Sequence, residues 1–170
     1  RLFGQMSVIE NVLVANHRAS KASLLDAVLR TRRYEDDERA MREKATELLA
    51  FFGLDGKRDE RSSSLPYGDQ RRLEIARALA TAPRLLMLDE PAAGLNPRES
   101  ADLNALLRLI PREHGTSILL IEHDMDLVRR YSSRIVAMRG GEKIADMPPD
   151  EFFSSDEVLG VVLGKQVQQS

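Results

Sequence analysis

Residues 84 to 97, Arg-Leu-Leu-Met-Leu-Asp-Glu-Pro-Ala-Ala-Gly-Leu-Asn-Pro, constrain the fold more than any other stretch of this chain. Arg84 to Leu88 read as a short buried strand. Asp89 and Glu90 follow at its carboxyl end. Pro91 stops the strand, because it has no N–H for the ladder. Ligands of open α/β sheets sit beyond the carboxyl ends of the strands. Adjacent carboxylates at that place suit a hydrated divalent cation and a general base. A solvated acid pair at a strand end is the plainer alternative.

The residues after this stretch build outward from it. Asn96-Pro97-Arg98-Glu99 is a helix start, with Asn96 as N-cap and Pro97 at the first helical position. Leu103, Leu106, Leu107 and Ile110 give that helix its inner face, and Gly115 ends the connection. Ser117 to Glu122 reads as a second apolar strand. A strand, a helix and a second strand form an αβ unit, so the two strands are expected to be parallel. His123 stands at the carboxyl end of the second, which places it near Glu90; a structural histidine is the alternative. Asp124 caps a short helix to about Tyr131. Arg134 to Met138, the Gly140-Gly141 turn and Glu142 to Asp146 read as a β-hairpin. Two short helices and a polar tail follow from Pro149.

Upstream, the pattern is helical. Ser7-Val8-Ile9-Glu10 has capping-box spacing. Val8, Val12 and Ala15, with Ile9 and Leu13 beside them, form one face of a helix ending near His17. A short helix is expected around Leu24 to Leu29. A longer one starts at about Glu35, with acids in its first turn. Met41, Ala45, Leu48, Leu49 and Phe52 form its buried stripe, and Gly53 sits where a left-handed cap belongs. Residues 55 to 63 are charged and Ser-rich and read as a loop. Residues 65 to 81 run from a loop, Leu65-Pro66-Tyr67-Gly68, into a helix starting near Asp69. Leu73, Ala76, Leu79 and Ala80 give it an apolar face. The amino end of this helix offers free N–H groups and a partial positive charge, a ready anion site. Arg71 and Arg72 read as a solvated helix face without assigned chemistry, and His17 and His114 as surface residues.

Composition narrows the function classes. The formal net charge is -2, so no global attraction to nucleic acid is indicated. Without cysteine, disulfides, thiolate zinc sites and cysteine nucleophiles drop out. No apolar run reaches the roughly 18 residues that cross a bilayer.

Together the motifs resemble those of the ATP-binding cassette ATPases. Leu65-Pro66-Tyr67-Gly68-Asp69-Gln70 and its helix look like the signature motif, and Arg84 to Glu90 like the Walker B strand. Gly94-Leu95-Asn96-Pro97 resembles the D-loop, and His123 the switch histidine. The order and spacing are those of the family across nearly the whole chain. Leu65 to Ala80, Pro91 to Pro97 and Ile121-Glu122-His123-Asp124-Met125 are similar to one subfamily, the ATP-binding subunits of bacterial branched-chain amino acid transporters. The resemblance implies an α/β fold: part of a P-loop ATPase core with parallel strands, a helical subdomain and a carboxyl-terminal hairpin. It implies three segments: residues 1–81 as helical subdomain and signature helix, 82–147 as partial ATPase core, and 148–170 as helical tail.

It also implies roles. Glu90 would orient water for attack on the γ-phosphate of ATP, Asp89 would hold Mg2+ through water, and His123 would contact the γ-phosphate. Pro66, Tyr67, Gly68, Asp69 and Gln70 would face the nucleotide of a partner subunit, and Asn96 would couple two sites across a dimer. For Gly68 and Asn96, helix capping remains the alternative. Pro66 stands where most of the family place a Ser that bonds the γ-phosphate. The implied partners are a second nucleotide-binding subunit, identical or not, transmembrane permease subunits and, indirectly, a solute-binding protein. Nucleic acid is not among them. The implied place is the cytoplasmic face of the bacterial inner membrane.

Two departures qualify this. The family's P-loop, a Gly-rich turn ending in Lys-Ser/Thr, has no counterpart among the 170 residues. The chain begins at Arg1, in mid-pattern, and Gln5 lies after the expected position of the family's Q-loop glutamine. The expectation is therefore the carboxyl-terminal two-thirds of a subunit. Such a piece would be inactive by itself and prone to self-association through strands that lack neighbours. The alternatives are a non-catalytic structural or interaction fragment, and a cassette ATPase outside transport.

Overall fold

The computed structural model describes residues 2–16 and 32–162. The expected helix at 24–29, His17 and the polar tail from 163 lie outside the described residues. The chain divides into two compact units, Arg1–Leu120 and Ile121–Ser170.

In the first unit, helix α1 (Val8–Asn16) opens on the expected capping box. The Ser7 N–H donates to Glu10 Oε2 at 2.7 Å, and the Glu10 N–H to Ser7 Oγ at 3.3 Å. Val8 and Val12 are fully buried, and Ile9, Leu13 and Ala15 pack partly against the same core. Periodicity did not announce Asn11, which is also fully buried. Its carboxamide accepts from the Phe3 N–H at 2.9 Å and donates to the carbonyls of Phe3 and Ser7 at 3.2 and 3.0 Å. A buried amide satisfied in this way pins the incoming chain to the helix.

Helix α2 (Arg32–Phe51) starts three residues before the expected Glu35, since Arg, Arg and Tyr do nothing to break a helix. Ala45, Leu48, Leu49 and Phe52 are buried as the stripe predicts. Gly53, at φ +68°, ends the helix. The Leu54 N–H reaches Leu49 O at 2.8 Å and the Gly53 N–H reaches Ala50 O at 3.0 Å. These bonds make a Schellman cap, and Leu54 is buried behind it. The loop contains 3-10 turns at Asp55–Lys57 and Ser62–Ser64. The buried Ser62 hydroxyl donates to Phe3 O at 2.9 Å.

Helix α3 (Tyr67–Ala80) begins two residues before the expected Asp69. Pro66, with φ -54° and ψ 152°, serves as N-cap, its carbonyl accepting from the Gln70 N–H at 3.0 Å. Asp69 therefore lies in the first turn, where its charge complements the helix dipole. Leu73, Ile75, Ala76, Leu79 and Ala80 are buried. The helix packs against α1 and α2.

Strand β1 is Leu85–Asp89 and β2 is Ser117–Ile121, joined by helix α4 (Pro97–His114). The two strands are neighbours in one parallel sheet. The reading of residues 84–88 as a buried strand needs correcting. The strand runs one residue later, and only one of its faces is covered. Leu86, Leu88 and Ile118 join the helical core, whereas Leu85 (50 %), Met87 (66 %) and Leu119 (46 %) are exposed on the other face. Alternation along a strand sends successive side chains to opposite faces, and the described helices cover one of them. Asn96 caps α4 as expected, and its box is closed by Glu99. Leu103, Leu107 and Ile110 are buried, and Gly115 (φ +64°) ends the helix.

The second unit contains helix α5 (Met125–Tyr131), strands β3 (Ile135–Arg139) and β4 (Glu142–Met147), and helices α6 (Pro149–Ser154) and α7 (Asp156–Val162). Asp124 Oδ1 caps α5 by accepting from the Asp126 and Leu127 N–H groups at 3.0 and 3.1 Å. Strand β3 runs one residue later than expected and β4 extends one residue past Asp146, around a turn with Gly140 at φ +59° and Gly141 at φ +88°. Positive φ at both positions is the type I′ geometry that matches strand twist. Ile135, Ala137, Ala145 and Phe152 form the core of this unit. Arg134 grips Asp146 with two bonds of 2.6 and 3.0 Å, and Lys143 adds a third at 3.2 Å. The Arg134 bonds and then Lys143 hold the Asp146 carboxyl down to about 2. Among the described residues, no helix is long and apolar enough to cross a membrane.

Two measurements check this account. Asn11→Ala leaves the Phe3 N–H without its acceptor, while Phe3 O keeps its bonds from Ser62 and Met6, so it lowers unfolding stability by about 1 kcal/mol in urea titration. Because Asp146 is depressed in the folded state, its contribution is present above the ordinary 3.8 and lost as pH falls toward about 2. Asp146→Asn therefore flattens that part of the stability-versus-pH curve and lowers stability at neutral pH.

Candidate functional site

The paired acids stand where β1 stops. Asp89 is the last strand residue, and Glu90 adopts φ +41° immediately before Pro91. A left-handed conformation is unfavourable for a residue with a side chain, by about 1–2 kcal/mol. It turns the chain sharply at the sheet edge and leaves both carboxylates exposed. The turn is closed by the Ala93 N–H on Glu90 O at 3.0 Å and the Leu95 N–H on Ala92 O at 3.1 Å. Gly94, at φ +80°, completes it. Sequence reasoning placed the acids at the strand end; the strained backbone under Glu90 had no signal beyond the following proline.

The amino end of α3 meets this turn. The Tyr67 hydroxyl donates to Ala93 O at 3.3 Å, and its ring faces Gly94 so closely that a Cβ there would lie 3.3 Å from Cε1. A Cβ on Gly68 would lie 3.1 Å from Glu99 Oε1. Glu99 in turn accepts from the Asn96 N–H at 3.1 Å, while Asn96 Oδ1 accepts from the Arg98 and Glu99 N–H groups at 3.0 and 2.9 Å. The first turn of α3 thus touches both the turn after Glu90 and the cap of α4. The role of Glu99 was legible in the Asn-Pro-x-Glu spacing.

The remaining residues of the motif are engaged locally. Pro66 and Tyr67 are exposed and Gly68 is buried. Asp69 is paired with Lys57, and the Gln70 amide donates to Leu65 O at 2.8 Å. Arg71 and Arg72 correct the expectation of a solvated face. Arg71 donates to the Tyr67 hydroxyl at 3.0 Å and to Glu74 at 3.0 Å, and its guanidinium lies 5.2 Å from the centre of the Tyr67 ring. Arg72 approaches Asp102 at 3.7 Å with its side chain only 21 % exposed. Both side chains are only partly exposed and held in polar contacts, which the pattern of charges did not reveal. His114 is exposed, as expected of a surface residue, with its ring edge-on to Phe51 at 4.9 Å. His123 follows β2 and precedes the Asp124 cap; it is exposed and belongs to the second unit.

One cleft lies away from the acid pair, and a smaller one touches only Asp89 of the two. A cavity of about 400 Å³ lies between α1 and α3, lined by Phe3, Val14, Arg77 and Thr81. The cavity of about 150 Å³ between α3 and β1, whose lining includes Asp89, is below the size of a small-molecule pocket. The acids are open to solvent at the strand end rather than enclosed in a cleft. Among the described residues, no three His, Cys, Asp or Glu side chains cluster to hold a metal directly. A solvent-facing carboxylate such as Asp89 does fit Mg2+, a hard cation that keeps several of its waters.

With this geometry in place, comparison with known proteins assigns the class. Residues 1–93 match the family model for ABC transporters. The chain is 44% identical over 165 residues to the high-affinity branched-chain amino acid transport ATP-binding protein LivG of Salmonella typhimurium, and 43% identical to BraF of Pseudomonas aeruginosa, a protein of the same description. Each match covers 97% of this chain and 65% of the relative, so the chain spans about two-thirds of the length of these relatives. Among solved structures it resembles MJ1267, an ATP-binding cassette of an ABC transporter, with a TM-score of 0.71 at 29% identity over 95% of this chain and 64% of the other. The Clostridium perfringens cbiO1 structure gives 0.74 at 28% identity, over 98% of this chain and 60% of the other. The chain belongs to the ABC transporter family, and its fold is that of the family's ATP-binding cassettes.

The strained backbone at Glu90 gives a direct test. Glu90→Gly frees the left-handed position of its side chain, so thermal unfolding shifts upward by the equivalent of about 0.5–1 kcal/mol. Glu90→Ala, which keeps a Cβ at that φ, brings no such gain.

Proposed function

We propose that this chain carries the hydrolytic side of an ATPase subunit that drives import of branched-chain or similar amino acids. The observation that carries the reading is Glu90, held in an exposed left-handed turn at the carboxyl end of a parallel strand and preceded by Asp89. Glu90 orients water and accepts its proton. Asp89 holds Mg2+ through water; that ion, when bound, offsets charge on the phosphates. Phosphoryl transfer is mostly positioning and charge stabilisation, so these placements are the protein's contribution. The free N–H groups at the start of α3, with Tyr67, Gly68, Asp69 and Gln70 around them, face the nucleotide of a second subunit. Pro66 contributes no donor there. Asn96 couples the two sites, and His123 contacts the γ-phosphate.

Support for the substrate class comes from LivG and BraF, whose description is branched-chain amino acid transport. The partners are a second nucleotide-binding subunit and membrane permeases, with a solute-binding protein acting through them, at the cytoplasmic face of the inner membrane. Residues 1–81, 82–147 and 148–170 serve as helical subdomain, partial core and tail. The 170 residues contain no Gly-x-x-x-x-Gly-Lys, so by themselves they bind ATP weakly and do not turn it over. This lack favours a second reading, in which these residues serve a structural or interaction role only. The exposed Leu85, Met87 and Leu119 also favour self-association of the isolated chain.

Titration calorimetry on the 170-residue chain is expected to show no tight Mg-ATP binding. In the protein at its natural length, Glu90→Gln lowers ATP turnover at least about 100-fold while nucleotide binding is kept. Unchanged turnover would remove Glu90 as the base and leave the structural reading.

A further inference from the structure

We propose that Tyr67 is a positioning residue for Glu90 of its own chain. This inference rests on the reading of Glu90 as the base, and it adds a role within one subunit to a residue otherwise assigned to the nucleotide of another. The connection is continuous. Glu74 accepts from Arg71, Arg71 donates to the Tyr67 hydroxyl, and that hydroxyl donates to Ala93 O. On the other side of the same residue, the Ala93 N–H is bonded to Glu90 O. The Tyr67 ring lies against Gly94, the one position of the turn where a Cβ would be both strained at φ +80° and pressed to 3.3 Å from the ring.

The geometry explains why a turn that strains Glu90 persists. A shift of Glu90 toward negative φ would relieve the strain and redirect its carboxylate. The bond from Ala93 to Glu90 O opposes such a shift while Ala93 stays in place. Ala93 is held from outside the turn by Tyr67, whose place is set by the buried face of α3 and by the Arg71 guanidinium 5.2 Å from the ring centre. A strained conformation survives where surrounding structure over-determines it. Tyr67 supplies that determination by ring and hydroxyl together.

The test compares Tyr67→Ala and Tyr67→Phe with the parent protein at its natural length. Amide exchange at Ala93, followed by NMR with Leu79 and Leu103 as internal controls, is expected to quicken about fivefold or more in Tyr67→Ala and about twofold in Tyr67→Phe, which keeps the ring on Gly94. In ATP turnover, Tyr67→Ala lowers kcat about tenfold with KM for ATP within about twofold, and Tyr67→Phe recovers part of the loss. In a Glu90→Gln background the Tyr67 substitutions cause no further loss. An unchanged Ala93 exchange rate with both controls protected overturns the proposal. So does a rise in KM at constant kcat, which would leave Tyr67 with its nucleotide-facing role alone. If Tyr67→Ala does not fold, Tyr67→Phe decides by the same two readouts. A parent protein without turnover defeats the ATPase reading alone, and the exchange comparison still decides the role of Tyr67.

Discussion

The burial of helix α3 is the constraint on which the site depends. Leu73, Ala76, Leu79 and Ala80 lock the helix against α1 and α2, and with it the direction of its first turn. Interiors are close-packed, so such a helix transmits position along its length. Its amino end reaches the turn after β1 through Tyr67 and the cap of α4 through Gly68. The motif that looks like a nucleotide-facing loop in sequence is, in the fold, also a bracket for the turn that follows the two acids.

Two glycines make this bracket close enough to work. At Gly94 the backbone must be left-handed and must leave room for an aromatic ring. At Gly68 the backbone must admit the Glu99 carboxylate beside a helix amino end, where negative charge is favoured. Both are demands of approach between elements. They also tie the capping box of α4, with Asn96 as its cap, to the start of α3.

The acids contrast with the carboxylate in the second unit. Asp146 is gripped by Arg134 and Lys143 and stays charged well into acid, which suits a structural pairing. Asp89 and Glu90 sit at a solvent-facing strand end, on a backbone strained at Glu90. A group kept accessible in an unfavourable backbone conformation is better suited to meeting a ligand than to holding a fold together.

Much of the local structure was legible in the sequence. The Ser7 and Asn96 boxes, the Gly53 cap, the Asp124 cap, the Gly140-Gly141 turn and the stripes of α2 and α4 all depend on residues within a few positions of one another. So did the family, because its motifs are short and ordered along the chain. Other features depended on packing between distant parts of the chain. The bond from Tyr67 to Ala93 spans 26 positions, and the one from Ser62 to Phe3 spans 59. Periodicity gave no sign of the buried Asn11, whose amide bonds the chain at Phe3. Leu85 and Met87 read as core until one face of the sheet proved uncovered. Periodicity and capping are properties of a single element; which of its faces is buried, and which side chain from elsewhere supports its turn, is decided only when the elements meet.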